Sequence, residues 1–148
     1  MIITGASTGI GLELARQWAE RGYDLGLVAR RGVLLDELKA EILSKHPDHK
    51  IETLALDVAQ YDLTYQLIGD LIKKMGGVDI FVANAGVGAR TPAWKPTWPT
   101  VKQILEVNVM GAIASLEAAK DYLIAQKLKG HLVGVSSVAA FKGLPASS

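Results

Sequence analysis

The chain has 148 residues, 49% of them hydrophobic, and a formal net charge of +1. That length fits one domain, residues 1–148, with enough apolar material for a core closed on two sides, and its charge leaves no field to draw nucleic acid or an anionic membrane. The absence of cysteine excludes disulfides and thiolate metal sites; no apolar run approaches the roughly 18 residues of a membrane span and no basic n-region followed by an h-region is seen, so a signal peptide is not expected and a cytoplasmic protein away from the membrane is.

Short apolar runs alternate with longer amphipathic ones. Met1-Ile2-Ile3 reads as a strand stub running into the turn Thr4-Gly5-Ala6-Ser7-Thr8-Gly9-Ile10-Gly11. Ile10 to Glu20 has helical spacing, with Ile10, Leu14 and Trp18 on one stripe and Gly22 as its stop. Asp24 to Ala29 is a buried strand. Val33 to Ser44 sets Leu34, Leu35, Leu38 and Ile42 on a second helix, and Ile51 to Leu56 is a third strand. Leu63, Leu67, Leu71 and Met75 mark a third helix closed by Gly76-Gly77, before a fourth strand, Val78 to Ala83. A loop rich in Gly, Pro and Trp follows from Asn84 to about Thr100. A long helix then runs to about Lys127, and His131 to Val135 forms a fifth strand.

Strands this apolar, alternating with helices, imply a parallel sheet covered on both faces: an α/β fold of Rossmann type, doubly wound, in three layers. The turn at its start has a specific use. A dinucleotide's pyrophosphate is neutralised well by a helix N-terminus, with its unpaired N–H groups and positive dipole end. Gly5, Gly9 and Gly11 remove the side chains that would keep the backbone away. Their spacing is GxxxGxG rather than GxGxxG. The next strand ends in Arg30-Arg31. An acidic residue near there would bind the ribose 2′-hydroxyl of NAD, whereas an Arg accommodates the 2′-phosphate of NADP with its planar fork. NADP (NADPH) is therefore expected rather than NAD, against the alternative of a solvated arginine pair.

With further stretches in order, the chain resembles the classical short-chain dehydrogenase/reductase family. TGASTGIG, Thr4 to Gly11, matches the cofactor motif, with Ser7, Thr8 and Ile10 inside it. Asp57-Val58 ends the third strand, where the family's Asp contacts adenine. Asn84-Ala85-Gly86 matches the NAG motif, Asn108 the helix Asn of the catalytic tetrad, and Ser137 the active-site Ser. The resemblance implies that Ser137 holds the substrate carbonyl oxygen and that Asn108 supports a proton relay. It also agrees with NADP at Arg30. Open α/β sheets bind ligands outside the carboxyl ends of their strands, where Asp57, Asn84 and Ser137 lie. Taken singly, Asp57 could cap the next helix, Asn84 with Gly86 could form a plain turn, and Asn108 could be a buried amide satisfied by backbone. Ser136 ranks behind Ser137, from which it should point away if the strand geometry persists.

No metal site is expected. His46 and His49 flank Pro47 and His131 starts a strand, so the histidines do not cluster. Trp94 and Trp98 could line the substrate side or serve packing. The family's Tyr-x-x-x-Lys falls just past Ser148, and Tyr122 lacks the Lys four positions on. The fold is thus expected to be truncated after the fifth strand and the chain to be part of a longer protein. The reading is an NADP-dependent oxidoreductase interconverting an alcohol and a carbonyl of small-molecule size, pairing into a homo-oligomer through the long helix after Thr100. The alternative is a non-catalytic dinucleotide-binding module, or a fragment without the catalytic Tyr and Lys.

Overall fold

A computed structural model describes residues 1–89 and 98–142 of the chain. Five strands, β1 (Ile2–Thr4), β2 (Leu25–Ala29), β3 (Ile51–Ala55), β4 (Ile80–Ala83) and β5 (His131–Gly134), form one parallel sheet. Their order across it is β3-β2-β1-β4-β5. The helices are α1 (Gly9–Glu20), α2 (Gly32–Lys45), α3 (Tyr61–Met75), α4 (Trp98–Leu105) and α5 (Ala112–Ala125). The expected doubly wound architecture is present.

Successive strand residues point to opposite faces, and the two cores show it. Ile3, Leu25, Leu27, Ala29 and Val82 join α1 and α2 on one side through Ala15, Ala19, Leu35, Leu38 and Ile42. Ile2, Val28, Phe81 and Ala83 join α3 and α5 on the other through Ile68, Leu71, Ile72, Ala118, Ala119 and Leu123. Strands buried on both faces need apolar residues at nearly every position, which explains runs such as LGLVA in β2. α3 and α5 are also linked at the surface. The Tyr65 hydroxyl donates to Asp121 at 2.7 Å, a bond that raises the tyrosine's pKa and lowers the carboxylate's.

Three expectations need correction. In α1 the inward stripe is Gly11, Ala15 and Ala19, and Ile10 is 68% exposed. The small residues face the sheet because the helix lies close to it, so the larger Leu14 and Trp18 only flank the core. In α3 the fully buried positions are Thr64, Ile68, Leu71 and Ile72; of the four residues that marked the helix, Leu71 is buried, Leu67 and Met75 pack against the core, and Leu63 is 40% exposed. The long helix starts at Trp98 and is not continuous. A π turn, Glu106–Gly111, separates α4 from α5. Among the described residues no helix is long and apolar enough to cross a membrane. Trp94 and residues 143–148 lie outside the described residues.

Candidate functional site

From β1 the chain winds outward to β2 and β3, then returns to build β4 and β5 on β1's other side. Such a switch leaves a crevice beyond the carboxyl ends of the central strands. Its walls are the turn after β1 and the loop after β4, pressed together. Gly5 has φ +71°, and a Cβ there would sit 2.8 Å from the Ala85 Cα. A Cβ on Gly11 would run into the Gly5 carbonyl and stand 2.6 Å from Nδ2 of Asn84. Both positions take glycine for close approach, and Gly5 takes it for its left-handed backbone as well.

Thr4 joins the walls. Its side chain is 1% exposed, and its hydroxyl accepts from the backbone N–H groups of Asn84 and Ala85, each at 3.0 Å. The same hydroxyl donates to the Val82 carbonyl at 3.5 Å. The Asn84 amide donates back to the carbonyls of Thr4 and Gly5, at 3.0 and 3.4 Å. Asn84 is thus more than a turn residue: its side chain ties β4's loop to the glycine turn.

A cleft of about 270 Å³ opens over this seam. It is lined by Gly5, Ser7, Thr8, Ile10, Arg30, Arg31, Asp57, Val58, Asn84, Ala85 and Gly86, together with Ala29, Leu56, Val87 and Val107. The exposed Ile10 side chain thus forms part of its wall. Of the residues assigned to the cofactor, Gly9 and Gly11 do not line it; both belong to the first turn of α1. Thr8 is the N-cap of α1 but makes no side-chain capping bond. Its hydroxyl accepts from Nη2 of Arg31 at 3.0 Å, and the Ser7 hydroxyl accepts from the same nitrogen at 3.2 Å. A guanidinium from the N-cap of α2 therefore stands against the positive end of α1. Two positive groups held together this way favour an anion between them. Asp57 accepts from the Ala59 N–H at 3.1 Å, a local turn; the N-cap of α3 is Gln60.

A second cavity, about 540 Å³, continues from the first past Ile10 and the 84–88 segment. Asn108, Val109, Ala112, Val135, Ser136 and Ser137 close it. Asn108 does not enter it as a buried amide. It is exposed and engages Val87 in both directions, Oδ1 accepting from the Val87 N–H and Nδ2 donating to the Val87 carbonyl, each at 2.8 Å. The two serines do not separate as strand alternation would require. β5 ends at Gly134, so the alternation stops before them and both line one cavity. Trp98 lines neither cavity. Among the described residues no three His, Asp or Glu side chains converge as metal ligands.

Thr4, Val87 and Val107 were not read as site residues from the sequence. A hydroxyl ending an apolar strand was the available signal for Thr4. Nothing local marks the other two, because they reach the cleft through tertiary placement.

This geometry has close relatives. The family model for short chain dehydrogenase matches residues 1–148. An uncharacterised oxidoreductase of Mycobacterium tuberculosis is 41% identical over 147 residues, covering 98% of this chain and 57% of that protein. One of Myxococcus xanthus is 41% identical over 143 residues, 97% of this chain and 55% of its own length. The chain thus spans little more than half of these curated relatives. Among solved structures, an alcohol dehydrogenase of the archaeon Thermococcus sibiricus, complexed with 5-hydroxy-NADP, superposes with a TM-score of 0.90 at 29% identity. That match covers 98% of this chain and 60% of the other. An NAD+-bound xylitol dehydrogenase also gives 0.90, at 27% identity, over 98% of this chain and 55% of its own. With the glycine turn, the 84–86 loop, Asn108 and Ser137 all on one crevice, and the family model matching from end to end, the chain belongs to the short chain dehydrogenase family.

Proposed function

We propose that this chain is the NADP-binding portion of an oxidoreductase that interconverts an alcohol and a carbonyl. The observation that carries the reading is a pair of adjoining cavities that share the wall of Ile10 and residues 84–87, one lined by Arg30 and Arg31 and the other by Ser137 and Asn108. The donor set fits a dinucleotide with a 2′-phosphate. The α1 N-terminus would hold the pyrophosphate, and Arg30 and Arg31 with the Ser7 and Thr8 hydroxyls would hold the further phosphate. Asp57 offers an acceptor to the adenine amine. The choice of NADP rests on these arginines, because the solved relatives include both an NADP-type and an NAD+ complex.

Bound NADPH would supply the hydride. The protein's part is to orient and polarise. Ser137 donates to the substrate carbonyl oxygen and stabilises the charge that develops there. Asn108 holds the 87 segment in place and supports proton delivery. Ile10, Val109 and Val135 give the cavity beside the serines an apolar wall. Leu105 of α4 and Ile113 of α5 are exposed apolar side chains, 47% and 50%, which supports pairing of copies through this part of the chain. Cytoplasmic placement belongs to the same reading.

The test is oxidation of NADPH by the protein encoded by the complete gene, across a panel of aldehydes and ketones. Turnover of some member is expected. Binding of NADPH without turnover of any would overturn the enzymatic reading. It would favour a dinucleotide-binding module.

A further inference from the structure

We propose that Gly111 is a positioning residue for Asn108, acting through the close contact of its backbone with Val58. The proposal rests on the role given to Asn108 above. The π turn Glu106–Gly111 adds a residue to one helical turn, which rotates what precedes it relative to α5. Its last residue, Gly111, is buried against the segment after β3. A Cβ there would lie 2.6 Å from the Val58 carbonyl oxygen and 2.9 Å from the Val58 Cγ2. Both carbonyls at this contact are held. The buried Thr64 hydroxyl donates to that of Val58 at 3.3 Å, and the buried Ser115 hydroxyl donates to that of Gly111 at 2.7 Å.

Three residues before this anchor, Asn108 makes its paired bonds to Val87. Val107 lines the arginine end of the cleft, whereas Asn108 and Val109 line the serine end. One helical turn therefore contributes to both ends, and its height over the sheet is set where Gly111 meets Val58.

Ordinary contact for a Cβ begins at 3.4–4 Å, so an added methyl must separate the turn from Val58 by about 1 Å. The obstacle is main chain tied to α3 through Thr64, not the free end of a flexible side chain. The displacement falls on the π turn. Bonds of 2.8 Å from Asn108 lengthened by about that amount lose hydrogen-bonding geometry. A misplacement of about 1 Å remote from the chemistry can cost on the order of 100-fold in rate.

The experiment uses the protein encoded by the complete gene and the variants Gly111→Ala, Asn108→Leu and their double. Binding of 2′,5′-ADP, a probe of the arginine end, is measured beside kcat. Gly111→Ala should lower kcat about 100-fold, leave 2′,5′-ADP binding within about twofold, and add little to the loss in Asn108→Leu. Full additivity in the double variant would overturn the proposal, as would a loss confined to 2′,5′-ADP binding. If Gly111→Ala does not fold, Ser115→Ala, which releases the Gly111 carbonyl, takes its place. It should give a several-fold fall in kcat absorbed by Asn108→Leu, and an additive fall counts against the proposal. Full activity in Asn108→Leu would remove the role given to Asn108 itself. That outcome is distinct from an active Gly111→Ala beside an inactive Asn108→Leu, which would refute only the part assigned to Gly111.

Discussion

The two halves of the sheet are built to different standards of closure. In β2 all five residues are buried, and the cleft above β1 to β3 is walled by groups that satisfy one another, Arg31 with Ser7 and Thr8, Asp57 with Ala59. In β5 no residue is fully buried. Nearby, Ile113 is 50% exposed and Val138 75%. Described residues do not cover that side. Polar groups that partner locally can be held within one βαβ unit. An apolar side chain is satisfied only by burial against another element. The difference teaches that the polar groups of the arginine half find partners close by in the chain, whereas the serine half leaves apolar side chains exposed among the described residues.

Catalysis should fail more steeply than binding when the serine half is altered. Ser137→Ala is expected to lower kcat by about 100- to 1,000-fold, the range for removing one donor to a developing oxyanion. NADPH affinity, set in the other half, should stay within about twofold. Steady-state kinetics with direct titration of NADPH would check both. Unchanged kcat would remove Ser137 from the chemistry and with it the division of labour.

The converse change belongs to the arginine half. Charged hydrogen bonds of the kind Arg30 would make to a phosphate contribute about 1.5–3 kcal/mol, or roughly 10- to 100-fold in affinity. Arg30→Asp should therefore reduce the ratio of kcat/KM for NADPH over NADH by at least about 10-fold, with kcat on the better cofactor little altered. Equal losses for both cofactors would mean that Arg30 shapes the cleft without reading the 2′-phosphate.

How much of this was legible in the sequence follows the same division. The glycine turn, Arg30, Arg31, Asp57 and the 84–86 loop are short segments at strand ends, and local pattern places strand ends well. Eleven of the thirteen residues assigned to the cofactor line the first cleft, all but Gly9 and Gly11. Hydrophobic periodicity located the helices but misjudged the inward face of α1 and included the exposed Leu63 in α3. A stripe of small residues such as Gly11, Ala15 and Ala19 carries less apolar weight than Ile10 does, yet it alone lets α1 lie close to the sheet. The π turn was hidden for a related reason. It arises from a long-range contact, Gly111 on Val58, which no window of local sequence contains. The two serines were assigned opposite directions on the premise that β5 runs through them, and it ends at Gly134.

Thr4 offers the smallest and sharpest test of the comparison, because it belongs to both halves. It ends β1, yet its hydroxyl receives the N–H groups of Asn84 and Ala85 from the loop after β4. Thr4→Val keeps the side chain's shape and removes the acceptor for both. A buried polar group left unpartnered costs about 1–3 kcal/mol. Asn84 and Ala85 are only partly buried, so water takes up some of that loss and about 1 kcal/mol is expected. Thermal unfolding of the protein encoded by the complete gene should move down by a few degrees. If the halves meet mainly at this hydroxyl, NADPH binding and kcat should weaken together by a similar small factor, since one wall serves both ends of the cleft. A drop in stability with unchanged binding and kcat would show that Asn84, through its own bonds to the carbonyls of Thr4 and Gly5, holds the seam closed without the threonine.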